Sequence, residues 1–120
     1  MTDTTTVVDG YIAVWNETDP ARRRELIART WTEDARYLDP LTAGEGPEGI
    51  DAMVAGAQAQ YPGTRFELAG APDAHHDRLR FTWHLRPVDG GDALATGVDF
   101  ATVAPDGRLR DVTGFLEPTA

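Results

Sequence analysis

The helical period of this chain disappears for good at Tyr61-Pro62-Gly63. Before that point apolar residues recur mostly at helical spacing, broken by one short strand; after it they alternate as in strands. A chain of this form must lay its helices against one face of a mainly antiparallel sheet, which makes it an α+β domain. Its 120 residues suffice for one core. No repeat, linker or low-complexity segment divides them, so residues 1–120 read as a single domain.

The elements follow from local signals. Val8, Tyr11, Ile12 and Trp15 form one apolar face of a helix over Thr5–Glu17. Asp19-Pro20 supplies an N-cap and a first-turn proline for a second helix over Pro20–Trp31, with Leu26, Ile27 and Trp31 on its buried side. Arg22–Arg24 lie early in that helix, where positive charge opposes the dipole, and are expected in solvent. A short strand over Ala35–Asp39 ends at Pro40, and a Gly-, Glu- and Pro-rich loop runs from Leu41 to Gly49. Ile50, Met53, Val54 and Ala57 mark a third helix. Strands are expected over Arg65–Ala71, Arg78–Val88, Ala93–Val103 and Arg108–Glu117, with Asp89-Gly90-Gly91-Asp92 and Pro105-Asp106-Gly107 as turns. Phe81, Trp83 and Leu85 share one face of their strand, and His84 falls on the other.

Composition excludes several chemistries. Cysteine is absent, which removes disulfides, thiolate metal sites and cysteine nucleophiles. Every basic side chain is arginine, so lysine Schiff-base chemistry is excluded apart from the terminal amine. A net charge of −9, spread along the chain, argues against nucleic acid or an anionic membrane as partner. No apolar run is long enough to span a bilayer, and a cytoplasmic location is the expectation. No phosphate-binding fingerprint or nucleophile elbow is present.

Three polar residues stand out against apolar surroundings. Asp99 is the only charge in the run Ala93–Val103, and a carboxylate there must be paired, solvated in a cavity or protonated. An outward position meeting water is the plain alternative. Tyr11 lies on the apolar face of the first helix, and Asp39 ends the first strand before Pro40. A core tyrosine bonded to a carbonyl and a common Asp-Pro turn are the corresponding plain readings. His75-His76-Asp77 concentrates further titratable groups. Adjacent strand residues face opposite ways, however, and with no third ligand at suitable spacing a metal site is not expected.

Taken together, Tyr11-Ile12-Ala13-Val14-Trp15-Asn16 with Asp19, Ala35-Arg36-Tyr37-Leu38-Asp39-Pro40, Gly97-Val98-Asp99-Phe100 and Asp106-Gly107-Arg108-Leu109 resemble the NTF2-like superfamily, in its ketosteroid-isomerase and SnoaL-like branch. The resemblance covers nearly the whole chain. It implies a cone in which three N-terminal helices pack on a curved sheet and enclose a pocket. It implies Asp39 as general base, Tyr11 as hydrogen-bond donor to a substrate oxygen, and Asp99 as a second donor held neutral. In ketosteroid isomerases an apolar site keeps such a carboxylic acid protonated. The expected activity is cofactor-free proton abstraction next to the carbonyl of a small apolar compound, as in an isomerase or polyketide cyclase. The alternatives are a non-catalytic small-ligand binder and a dehydratase using His75 or His76 with Asp39. Gly97, two residues before Asp99, stands where epoxide hydrolases of this fold carry arginine, which counts against that activity. Trp31 and Val54 stand where related isomerases carry supporting tyrosines. Residues expected to line the pocket are Trp15, Trp31, Met53, Val54, Phe81, Trp83, Val112 and Leu116. With Asp99 inward, Val98 and Phe100 face out, where sheet-to-sheet homodimerisation would cover them.

Overall fold

A computed structural model describes residues 4–117 of the chain. Helix α1 (Thr4–Asn16) and helix α2 (Pro20–Thr30) come first, followed by β1 (Trp31–Leu38) and β2 (Ala43–Glu45). Helix α3 (Gly46–Gln60) precedes β3 (Thr64–His75), β4 (Arg78–Pro87), β5 (Ala95–Val103) and β6 (Leu109–Leu116). The six strands form one sheet in the order β2-β1-β6-β5-β4-β3. Strand β1 runs parallel to β6, and every other pair is antiparallel. The architecture is therefore α+β, with two strands standing between the second and third helices.

Local chemistry accounts for the boundaries. The Asp19 carboxylate accepts from the Arg22 amide at 3.1 Å, capping α2 as its sequence implies. Trp31 is already extended (φ −119°, ψ 147°), so β1 starts four residues earlier than the periodicity suggests, without an intervening loop. Part of the Gly- and Glu-rich loop pairs with β1 as β2, through Arg36↔Glu45 to Leu38↔Ala43. Strand β3 runs on to His75, which puts both histidines at its far end.

The inner sheet face carries Ala35, Tyr37, Leu79, Phe81, Trp83, Leu85, Asp99, Ala101 and Val112, all buried. Val7, Val8, Tyr11, Val14 and Trp15 of α1, Ile27 of α2 and Ile50, Met53 and Val54 of α3 close over it. Strand β3 is a sheet edge, and Asn16 secures it. Its side-chain amide donates to the Phe66 carbonyl at 2.9 Å and accepts from the Phe66 amide at 2.8 Å. This covers backbone groups that an edge strand would otherwise leave open.

Arg23 corrects the expectation of a solvated arginine run, since it is only 4% exposed. It lies one turn before Ile27 and so shares its inward face. Its Nε donates to Asp51 at 2.6 Å, and one terminal nitrogen donates to the Glu17 carbonyl at 3.0 Å and to Gln58 at 3.1 Å. Gln58 in turn donates to the carbonyls of Trp15 and Glu17. The network satisfies the orphan carbonyls at the end of α1 and locks α1, α2 and α3 together. Replacing Arg23 by Ala leaves Asp51 unpaired and is expected to cost about 3 kcal/mol in urea denaturation. The double change Arg23→Met with Asp51→Leu is expected to recover most of that loss.

Candidate functional site

Strand register brings the polar residues together. Phe81, Asp99 and Gly114 lie side by side across β4, β5 and β6. Strand β1 continues the row, because Asp39 follows the Leu38↔Thr113 pair by one residue. Gly114 thus stands between two carboxylates. A methyl group at Gly114 would lie 2.7 Å from Asp99 Oδ1, 3.2 Å from Asp39 Cβ and 3.3 Å from the Tyr37 hydroxyl. Only a residue without a side chain leaves room for all three.

Two tyrosine–aspartate pairs result. The Tyr11 hydroxyl donates to Asp99 Oδ2 at 2.6 Å, and the Tyr37 hydroxyl donates to Asp39 Oδ2 at 2.5 Å. Asp39 Oδ1 accepts from the backbone amides of Leu41 and Thr42 at 2.8 and 2.9 Å, an Asx turn that fixes the carboxylate. Asp99 is 1% exposed; its Oδ2 accepts from Tyr11, and the Trp83 indole also faces the carboxyl as a donor. Burial pushes its carboxyl up to about 6, against the pull of the Tyr11 hydroxyl and the Trp83 indole and with help from the Asp39 charge. Burial, followed by the Asp99 charge, raises both the Tyr11 and Tyr37 hydroxyls well above the ordinary phenol range. Both phenols therefore keep their protons.

These pairs stand beside a cleft of about 360 Å³, a size that suits a small organic molecule. Tyr11, Tyr37 and Asp39 reach its wall, together with Trp15, Phe66 and Trp83 from an aromatic cluster and Met53, Ala57 and Leu116. Trp15 contacts Tyr37 and Phe66 with ring centres 5.5 and 5.3 Å apart, and Phe66 meets Trp83 at 5.2 Å. Trp83 lies directly over Gly97, its cross-strand partner, where any side chain would overlap the indole. Among the described residues no arginine, lysine or histidine lines the cleft.

Of the residues expected to line the pocket, Trp15, Met53, Trp83 and Leu116 do so. Trp31, Val54, Phe81 and Val112 instead fill the core beneath it. Asp99 faces inward but stands behind Tyr11, away from the cleft wall. Tyr37, a residue the sequence pattern alone did not single out, adds a second phenol, donated to Asp39. It sits two positions before Asp39, and that shared parity was the available signal. His75 and His76 are exposed at the far end of β3, with His76 at φ 51° in the turn, and neither lines the cleft. No group of three metal-ligating side chains occurs among the described residues. His84 lies on the outer sheet face, its Nδ1 2.9 Å from the Thr96 hydroxyl.

A fold of three helices on a curved six-stranded sheet defines a class. The SnoaL-like domain model matches residues 8–112, and the chain belongs to that family. A SnoaL-like protein from Agrobacterium tumefaciens, described as a candidate isomerase, is 46% identical over 98% of this chain and 100% of its own, with a TM-score of 0.91. A candidate SnoaL-like polyketide cyclase from Jannaschia sp. CCS1 superposes with a TM-score of 0.70 at 20% identity, over 94% of this chain and 86% of its own. A protein of ketosteroid-isomerase-like fold from Catenulispora acidiphila, in complex with trimethylamine, gives 0.70 at 12% identity over 90% and 82%. The last two likenesses concern the fold alone. No curated protein matches the chain.

The raised Asp99 carboxyl has a consequence for stability. In the folded chain it holds its proton up to about pH 6, against an ordinary value of 3.8. Between those values the folded state binds more protons than the unfolded one, so stability falls as pH rises and levels off above the upper value. The fall amounts to about 3 kcal/mol. Asp34, held low first by the Thr32 hydroxyl, and Asp106, held low first by the Arg108 amide, act in the opposite sense below this window. Urea titrations at a series of pH values are expected to show the Asp99 contribution in the wild type and its loss in Asp99→Asn.

Proposed function

We propose that the chain is a cofactor-free acid–base enzyme acting on a small apolar carbonyl compound, of the isomerase or cyclase type that its family includes. Asp39 is the base. Three of its lone-pair sites are occupied, and one on Oδ2 remains for a substrate proton. It takes a proton from the carbon next to the carbonyl, and the C–H electron pair moves onto the carbonyl oxygen. The Tyr11 hydroxyl, on the cleft wall, donates to the resulting enolate.

Asp99 acts through Tyr11. With Asp99 ionised, the Tyr11 proton belongs to Asp99 Oδ2. With Asp99 neutral, its own O–H donates to the Tyr11 oxygen and releases the Tyr11 proton toward the ligand. The observation that carries the reading is the convergence of two tyrosine–aspartate pairs near Gly114 beside an apolar cleft. A dehydratase using His75 or His76 lacks a histidine at that cleft.

Turnover of a panel of small β,γ-unsaturated ketones, followed by NMR, tests this. Asp39→Asn is expected to lower it at least ~100-fold, in line with lost general-base catalysis. Asp99→Asn is expected to weaken it less. Equal, negligible effects would remove the assignment, and no turnover by the wild type would favour a ligand-binding role.

We also propose a homodimer through the outer sheet face. Phe100 and Phe115 stand exposed there with ring centres 5.9 Å apart, beside the half-buried Val98. Phe100→Glu is expected to give monomer by light scattering, and an unchanged mass would count against this interface.

A further inference from the structure

Gly56 has none of the usual reasons to be glycine. It stands in the interior of α3, where glycine weakens a helix more than any residue but proline. Its backbone does not enter the left-handed region that favours glycine. No neighbour crowds it, since a methyl group there would meet nothing within 4 Å. Gly56 lies one turn from both Ala52 and Gln60, and all three line the cleft with Met53 and Ala57. A side chain at Gly56 would therefore stand on the cleft face of α3, in open space.

The rim of the cleft is apolar as well. Leu41, Tyr61 and Leu116 line the cleft and are 70%, 36% and 38% exposed. Leu41 follows β1, Tyr61 caps the end of α3 and Leu116 ends β6, so three separate elements bring large apolar side chains to one place. Side chains that belong to the cleft and yet meet water leave apolar surface for a ligand of that cleft to cover.

We propose that Gly56 is a specificity-determining residue, and that the ligand is a neutral carbonyl compound whose apolar chain leaves the cleft past Gly56 and lies on Leu41, Tyr61 and Leu116. The carbonyl part rests on Asp39 and Tyr11 acting as described above, whereas the path of the chain rests on the cleft alone. Neutrality follows from the lining. Asp39 is its acidic group, and among the described residues no arginine, lysine or histidine faces it. An anionic head would meet that carboxylate and no counter-charge. A larger side chain at Gly56 narrows the path of the ligand, and its first carbon touches neither Tyr11 nor Asp39. Residue 56 thus sets how long a ligand the cleft accepts, apart from the chemistry at its carbonyl.

The test is calorimetric binding of saturated straight-chain methyl ketones of increasing length. The wild type is expected to gain about two- to fourfold in affinity for each added methylene that covers the rim. It is expected to bind the straight-chain carboxylate of equal length ~10-fold more weakly. Gly56→Leu is expected to bind the shortest ketone as the wild type does and to lose the gain with length. Wild-type affinity that is flat with length, a gain kept in full in Gly56→Leu, or equal affinity for ketone and carboxylate overturns the proposal. Gly56→Ala strengthens the helix and decides where Gly56→Leu does not fold. Its gain is expected to fall below that of the wild type, and an unchanged gain overturns the role of Gly56. Leu41→Ser is expected to reduce the gain at unchanged mass. A lower mass by light scattering assigns the rim to a second copy of the chain and overturns the proposal. Turnover is read separately, on the unsaturated panel. Length-dependent binding without turnover supports the path and counts against the enzymatic reading; Asp39-dependent turnover with affinity flat in length overturns the path alone.

Discussion

Two carboxylates face the interior of a chain of 120 residues, side by side across a sheet, and the absence of a side chain at Gly114 is what makes that arrangement physical. Any larger residue would press on Asp99 Oδ1 before touching anything else. Each carboxylate then needs a donor, because an ionised group without one is expensive in an apolar setting. Tyr11 from α1 and Tyr37 from β1 meet that need. The position of α1 over the sheet is thereby tied to chemistry as well as to packing. Tyr11 cannot reach Asp99 unless Trp15, Val8 and Val14 are seated as they are.

The same logic explains how the wall of the cleft is held. Apolar contact alone would let α3 slide along the sheet, since side-chain volumes can be matched in more than one way. The Arg23–Asp51–Gln58 network removes that freedom by joining α2 and α3 to the last carbonyls of α1. Asn16, at the same end of α1, fixes the edge strand β3 at Phe66, whose ring forms part of the cleft wall. The end of α1 is thus fastened to both sides of the cleft by hydrogen bonds that admit one geometry each.

Periodicity made the helices, the meander and the inward face of Asp99 legible, because a strand's parity assigns every residue once one is placed. Gly97, Asp99 and Ala101 face in while Val98 and Phe100 face out, as alternation requires. Parity says nothing of depth. Phe81 and Trp83 share a face, yet Phe81 lies in the core and Trp83 on the cleft, because the sheet passes from one to the other within two residues. Trp31, Val54 and Val112 lie in the core and off the cleft wall for the same reason. Tyr37 was legible in principle, two residues from Asp39, but a tyrosine in an alternating strand has the pattern of any half-buried aromatic. Arg23 was hidden between two identical neighbours, and only its spacing to Ile27 distinguished it. The β1 start at Trp31 escaped because a helix can pass into a strand without the loop that sequence patterns mark.

Counting protons shows why the buried pair matters to the cleft. With both aspartates ionised, both phenol protons are committed to carboxylates, and neither is free for a ligand oxygen. The apolar wall adds no cation to take their place. A carbonyl entering the cleft then competes with Asp99 for the Tyr11 proton, and an ionised carboxylate is the stronger acceptor. One additional proton on Asp99 reverses the contest, because a neutral acid donates where its anion accepts. Burial brings that proton within reach near pH 6, and keeping Asp99 off the cleft wall ensures that the change is felt through Tyr11 rather than by direct contact. A carboxyl group off the cleft wall can in this way decide whether the Tyr11 proton faces the cleft.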